Sequence, residues 1–78
     1  PLLVDVRTKG EFDQGNIPNA LHIPIDELRD RLDELPKDRE IAVYCQVGQR
    51  GYNATRILLQ HGYKAVNLSG GYRSYTMR

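Results

Sequence analysis

The 78-residue sequence contains a single cysteine and two histidines that lie far apart along the chain. One cysteine excludes a disulfide within the chain, and two distant histidines make a poor zinc site, so we expect no bound metal. Eleven basic residues balance ten acidic ones, and the basic residues are scattered rather than clustered. We therefore expect neither nucleic acid nor a membrane surface as a partner.

Long apolar stretches are also missing. No run of about 18 apolar residues is present, so the sequence predicts no membrane-spanning helix. A lone cysteine suits a reducing compartment, which favours the cytoplasm. The length allows one domain with a modest core. An apolar strand follows directly after Pro1, and from this abrupt start we expect residues 1–78 to be part of a longer polypeptide.

The most informative stretch surrounds the only cysteine. Residues 41–44 read as a buried strand, Cys45 follows, a glycine-containing loop carries Arg50, and residues 52–60 have a helical pattern. The first amides of a helix have no partners within it, and a loop that leads into them can form an anion-binding nest. A cysteine held over such a nest should ionise readily, and the thiolate is the reactive form. Although a lone cysteine after a strand is usually a core residue, this loop favours a nucleophile.

Strands and helices alternate along the rest of the chain. Thr8 and Glu11 form a capping-box pattern at the start of a short helix that stops at Gly15. We predict three further strands, at residues 2–6, 20–23 and 65–68. The apolar spacing predicts an amphipathic helix over residues 25–35 that is ended by Pro36, and a final helical turn should begin at residue 72. This order predicts one α/β domain with a parallel sheet covered on both faces.

Three loops should meet at the carboxyl edge of that sheet. Residues 5–7, Cys45 and residues 69–71 each follow a predicted strand, and in open parallel sheets the ligand crevice lies at this edge. Four residues separate Cys45 from Arg50, one fewer than in protein tyrosine phosphatases. A ring of amides that is one residue shorter should be too tight for a phosphate but should fit a sulfur atom attached to Cys45.

Several motifs, in the right order, give the chain a resemblance to rhodanese domains, which transfer sulfur. Residues 5–7 with 11–12 resemble the first family motif, and residues 15–20 with 23–24 resemble the second. Residues 45–50 match the six-residue active loop, and residues 62–63 with 67–72 resemble the closing motif. The resemblance implies a three-layer rhodanese-like fold, with helices on both sheet faces and without the usual first strand and helix.

A narrower resemblance links residues 44–52 and 67–72 to the C-terminal rhodanese domain of certain flavoproteins. These are pyridine nucleotide–disulfide oxidoreductases of the coenzyme A-disulfide reductase type. The resemblance implies that a flavoprotein domain with FAD and NAD(P)H precedes Pro1, and that residues 1–78 themselves hold no cofactor. The chain departs from the family at Asn16, Asn19, Gly51 and Tyr75, which leaves substrate preference open.

The implied mechanism passes sulfur through a persulfide on Cys45. The donor would be thiosulfate, a polysulfide or a small persulfide, and the acceptor a thiol or cyanide. The resemblance assigns substrate binding to the loop that follows Cys45, namely Gln46, Val47, Gly48, Gln49 and Arg50. Arg50 would provide a fixed positive charge, with a structural ion pair as the alternative, whereas we expect Arg7 and Glu11 to pair with each other. The alternative function is a docking or regulatory module with little turnover.

Overall fold

The computed structural model of the chain describes residues 1–77. Four parallel strands form one sheet in the order β2-β1-β3-β4. The elements in chain order are β1 (Leu2–Asp5), α1 (Lys9–Gln14), β2 (Leu21–His22), a 3₁₀ segment (Ile25–Glu34), β3 (Glu40–Tyr44), α2 (Gln49–Gln60), β4 (Lys64–Asn67) and α3 (Gly71–Thr76). The predicted α/β class and parallel sheet are confirmed, and each strand lies within two residues of its prediction.

The main core lies on one face of the sheet. Val4 of β1 and Val43 of β3 occupy neighbouring register positions and are fully buried. Leu28 of the 3₁₀ segment and Leu58 of α2 pack into the same cluster, so these two elements cover this face. Burying each of these side chains contributes about 1.5–3 kcal/mol.

The opposite face carries α1 and α3. Side chains alternate along a strand, so Asp5 and Tyr44 point away from the main core. There the Tyr44 hydroxyl accepts a hydrogen bond from the amide of Ile17, just after α1. The Arg7 guanidinium, which binds Asp5, lies 4.2 Å from the ring centre of Tyr72 in α3. Helices therefore flank both faces, as predicted.

The segment before β3 differs from the prediction. The apolar spacing predicts one amphipathic helix over residues 25–35, but the chain forms a 3₁₀ segment that is broken at Arg31. Pro24 starts the segment with an i→i+3 bond, because the amide of Glu27 donates to the Pro24 carbonyl. At the other end, the Tyr63 hydroxyl donates to the Leu32 carbonyl at 2.6 Å and so ties the segment to the residue that precedes β4. Leu28 stays buried despite the change of helix type.

Helix α2 also begins earlier than predicted. Its first residue is Gln49 rather than Tyr52, so Arg50 and Gly51 lie in its first turn instead of in a loop. Gly48 permits this because its φ is +124°, a conformation that favours glycine, and its carbonyl accepts the first helical bond from Tyr52. None of the helices formed by residues 1–77 has the length and apolar character needed to cross a membrane.

Candidate active site

The three loops at the carboxyl edge of the sheet meet around Cys45, as predicted. The amide of Tyr72 donates to the Cys45 carbonyl at 2.7 Å, and the amide of Arg73 donates to the Gln46 carbonyl at 3.0 Å. From the first loop, Arg7 Nη1 donates to Gln46 Oε1 at 3.2 Å. The backbone of Cys45 and Gln46 is therefore held from the C-terminal side of the sheet edge, and the side chain of Gln46 is held from the first loop.

Cys45 lies at the end of β3 and directly ahead of α2. Its side chain is a free thiol and is 1% exposed, and it packs against the main core. The Gly48 amide donates to Cys45 Sγ at 3.1 Å. Among residues 1–77, this contact is the one direct hydrogen bond between the predicted amide nest and the sulfur. A thiol in this position is buried by the core on one side and faces the start of a helix on the other.

The side chains of the predicted substrate-binding residues have separate positions. Gln46 is half-buried and bound by Arg7, while Val47 and Gln49 are exposed. Gly48 contributes its amide to the sulfur, and Arg50 is half-buried in the first turn of α2. The loop surface around Cys45 is thus uncharged from Gln46 to Gln49.

Glu11 pairs with a different arginine from the one predicted. It was expected to pair with Arg7, while Arg50 was expected to provide a fixed positive charge, with a structural ion pair as the alternative. Instead, Arg50 donates to both carboxylate oxygens of Glu11, at 2.6 and 2.9 Å. The Arg50 hydrogen bond, helped by the Thr8 amide, lowers the pKa of Glu11 to about 2, and the same pair raises the pKa of Arg50. The capping box of Thr8 and Glu11 forms as predicted, so Glu11 has both roles.

Arg7 binds Asp5 rather than Glu11, because residues i and i+2 of an extended segment point the same way. Arg7 donates through Nε and Nη2 to Asp5, with a shortest distance of 2.7 Å, and both side chains are almost fully buried. Arg7 Nη2 also donates to the Gly15 carbonyl at 2.7 Å. The ring of Tyr72 stacks on the guanidinium. The Asp5-Val6-Arg7 spacing was the available sequence signal for this pair.

Two residues near Cys45 were not identified from the sequence as parts of the site. Tyr72 was predicted as the start of the last helical turn, and its ring packs on the Arg7 guanidinium. Asn67, the last residue of β4, donates from Nδ2 to the Gly48 carbonyl at 3.2 Å. A strand-end asparagine is common in turns, so its residue type alone did not indicate this contact. The histidines bind backbone carbonyls of Arg7 and Ile57.

Known proteins with related sequences and structures point to the same family. The family model for the rhodanese-like domain matches residues 1–78. A sulfurtransferase of Allochromatium vinosum is 48% identical over 71 residues, which are 90% of this chain and 66% of that protein. The structure of reduced CoADR-RHD of Bacillus anthracis superposes with a TM-score of 0.90 at 51% identity, covering 94% of this chain and 13% of that one.

A third similar structure is an NAD-dependent persulfide reductase from A. fulgidus. It is 45% identical with a TM-score of 0.77, covering 90% of this chain and 13% of that one. The chain thus spans about two thirds of the sulfurtransferase and a small part of both oxidoreductases. Because the family model matches the whole sequence and the parallel sheet superposes on solved members, the chain belongs to the family of rhodanese-like domains.

Proposed function

We propose that this domain transfers sulfane sulfur through a persulfide on Cys45. The observation that carries the proposal is the position of the thiol: Cys45 Sγ lies 3.1 Å from the Gly48 amide, directly ahead of helix α2. An amide donor and the positive end of a helix both favour negative charge on the sulfur. Covalent catalysis through this atom divides one transfer into two easier steps.

In the first step, the Cys45 thiolate attacks the outer sulfur of the donor. A bond forms between Cys45 Sγ and that sulfur, and the S–S bond of the donor breaks. The electron pair leaves with the rest of the donor, as sulfite from thiosulfate or as a thiolate from a persulfide. In the second step, a thiol or cyanide attacks the terminal sulfur, and Cys45 leaves as the thiolate. No outside oxidant or reductant is needed.

The loop from Gln46 to Arg50 is the proposed cradle for the terminal sulfur. The Gly48 amide already faces the thiol, and the exposed side chains of Val47 and Gln49 are placed to meet an incoming donor or acceptor. Gln46 and Arg50 are bound by Arg7 and Glu11, so their part is to hold the loop in shape. We therefore expect the donor to bind mainly to backbone amides and uncharged side chains.

The test is the intact mass of the protein after treatment with thiosulfate or an inorganic polysulfide, for the wild type and for Cys45→Ser. We expect the wild type to gain the mass of one sulfur atom, the gain to disappear after reduction with a thiol, and Cys45→Ser to stay unchanged. The proposal would be contradicted if the protein is folded and Cys45 reacts with an alkylating reagent, but no sulfane donor forms an adduct. A phosphate ester should not be hydrolysed, because Arg50 is bound to Glu11.

A second candidate is a docking or regulatory module of a longer flavoprotein, with FAD and NAD(P)H bound by an upstream domain. It is favoured by the similar oxidoreductases, of which this chain covers only 13% in each case. The two functions are separated by Cys45→Ser, which should abolish sulfur transfer but leave docking intact. Visible flavin absorbance of the full-length gene product would test the upstream domain, and its absence would remove this candidate.

A further inference from the structure

Asn67 has a hydrogen-bonding arrangement that its place at a strand end does not require. Its Nδ2 donates to the Gly48 carbonyl at 3.2 Å, while its Oδ1 is buried and has no donor among residues 1–77. Only the amide nitrogen can donate to a carbonyl, so the Gly48 contact determines which way the side chain is turned. Buried acceptors without a donor are uncommon because they lose their hydration. The unpaired Oδ1 is unfavourable, so we expect the Nδ2 contact of Asn67 to have a role that offsets it.

The group that Asn67 holds is next to the thiol. Gly48 has a φ of +124°, its amide donates to Cys45 Sγ at 3.1 Å, and its carbonyl also accepts the Tyr52 amide at 2.9 Å. A glycine has more backbone freedom than any other residue. The two bonds to the carbonyl fix the peptide plane on one side of Gly48 and so restrict the directions in which its amide, on the other side, can point.

Gly51 makes room for this contact. A Cβ atom at this position would overlap Asn67 Oδ1. Gly51 is inside helix α2 and does not have a positive φ, so the backbone itself would accept alanine. Gly51 therefore lacks a side chain because the side chain of Asn67 occupies the space that a Cβ atom would need. This accounts for one of the positions at which the chain departs from the usual family sequence.

We propose that Asn67 is a positioning residue for the thiol site. By binding the Gly48 carbonyl, it aims the Gly48 amide at Cys45 Sγ, and Gly51 is needed for it to reach that carbonyl. The consequence for sulfur transfer rests on the proposed function. The consequence for thiol reactivity does not, because the alkylation of Cys45 requires no sulfur donor.

The test compares Asn67→Ala, Asn67→Asp, Gly51→Ala and the double variant Gly51→Ala/Asn67→Ala with the wild type. Asn67→Asp keeps the shape of the side chain but replaces the donor that faces Gly48 with an oxygen. The matched control is Asn53→Ala, which changes an exposed asparagine of α2. The readouts are the rate of Cys45 alkylation by iodoacetamide over a pH series, the rate of persulfide formation with thiosulfate, and the unfolding temperature.

Each single variant at Asn67 or Gly51 should lower the alkylation rate at neutral pH about 5-fold, the effect of losing one ordinary hydrogen bond. In these variants the pH at which alkylation accelerates should shift to higher values, whereas Asn53→Ala should match the wild type. The double variant should be no slower than Asn67→Ala, because both changes break the same contact.

An unchanged pH profile in Asn67→Ala and Asn67→Asp would overturn the proposal, even if the unfolding temperature falls. Additive losses in the double variant would overturn it too. If Gly51→Ala does not fold, the two Asn67 variants still decide the question, since neither adds an atom to the site. Shifted alkylation profiles in the Asn67 variants, together with a wild type that forms no persulfide, would support the positioning role and contradict the proposed function. Normal persulfide formation with unshifted profiles in the variants would do the reverse.

Discussion

Glu11 of helix α1 and Arg50 of helix α2 form a bidentate ion pair, with the two terminal nitrogens of Arg50, Nη1 and Nη2, donating to the carboxylate. The same carboxylate accepts the amide of Thr8 at the start of α1. One side chain thus caps a helix and anchors the first turn after the Cys45 loop. It also compensates the positive charge of Arg50. Both consequences can be measured.

The first prediction concerns the pH dependence of stability. Bonding to Arg50 lowers the pKa of Glu11 to about 2, so the pair stabilises the fold at pH values above the unfolded-state pKa of about 4.5. This contribution should be lost as the pH falls towards 2. Glu11→Gln should lower the free energy of unfolding at neutral pH by about 1 kcal/mol, after allowance for solvent screening of a partly exposed pair.

Urea denaturation of the wild type and Glu11→Gln at several pH values checks this, with Asp13→Asn as the control. Asp13 pairs with Lys9 on the same helix, but both side chains are exposed and the pair should contribute little. The difference between wild type and Glu11→Gln should shrink as the pH falls from 5 to 2. A difference that stays constant over this range would mean that the ion pair is not its source.

The fold was predictable because its signals are local, whereas the ion pairs were not. Apolar strands and capping residues such as Thr8 identify elements from a few neighbouring positions. The partner of Arg50 lies 39 positions away, and it is within reach only because α2 begins at Gln49. That start depends on the positive φ of Gly48, which the sequence permits but does not require. Glu11 was paired with Arg7 because a single turn after the strand separates them, and this local argument missed the actual partner of each residue.

The second prediction concerns the buried pair of Arg7 and Asp5. Arg7 is 2% exposed and Asp5 is fully buried, so removing one partner leaves an unpaired charge in the interior. Arg7→Met should cost about 3–5 kcal/mol of unfolding free energy, a large part of the about 4–12 kcal/mol expected for a domain of this size. Chemical denaturation followed by circular dichroism measures the loss.

Two further variants keep this prediction testable if Arg7→Met does not fold. Arg7→Lys retains the charge but loses the forked contact with Asp5, so it should be destabilised less. The double variant Asp5→Leu/Arg7→Met removes both charges and should be more stable than Arg7→Met alone. A double variant less stable than the single one would show that the pair does not act as a unit.

The third prediction contrasts two glycines. A Cβ atom at Gly71 would overlap the Cys45 carbonyl, and the φ of Gly71 is +56°. Gly71→Ala should therefore push α3 away from the Cys45 loop and cost more than the about 1–2 kcal/mol of the backbone conformation alone. Gly10 lies in α1, and a Cβ atom there would have no neighbour within 4 Å. Gly10→Ala should raise stability by about 0.5–1 kcal/mol.

Thermal unfolding of the two variants side by side checks both signs. If Gly71→Ala is as stable as the wild type, the close approach of α3 to the Cys45 carbonyl is not a constraint on the fold. Equal destabilisation by Gly10→Ala would mean that flexibility at α1, rather than space at α3, is what these glycines supply.

The last prediction concerns the charge of the sulfur donor, and it rests on the proposed sulfur transfer. Residues Gln46 to Gln49 are uncharged and Arg50 is bound to Glu11, so the loop presents no uncompensated positive side chain to a donor. Thiosulfate, a dianion, should then have little advantage over a monoanionic donor such as methanethiosulfonate, from which the outer sulfur passes to Cys45 and methanesulfinate leaves. Glu11→Gln leaves the Arg50 charge uncompensated, which should raise kcat/KM for thiosulfate about 5-fold relative to methanethiosulfonate, corresponding to about 1 kcal/mol for a partly exposed charge. The gain should decrease with added salt, since exposed charges are screened.

Asp13→Asn removes one negative charge from the same helix without touching Arg50, and it should leave the ratio unchanged. Equal shifts in Glu11→Gln and Asp13→Asn would assign the effect to the net charge of the domain, and no shift in Glu11→Gln would mean that Arg50 does not meet the donor even when Glu11 no longer balances its charge.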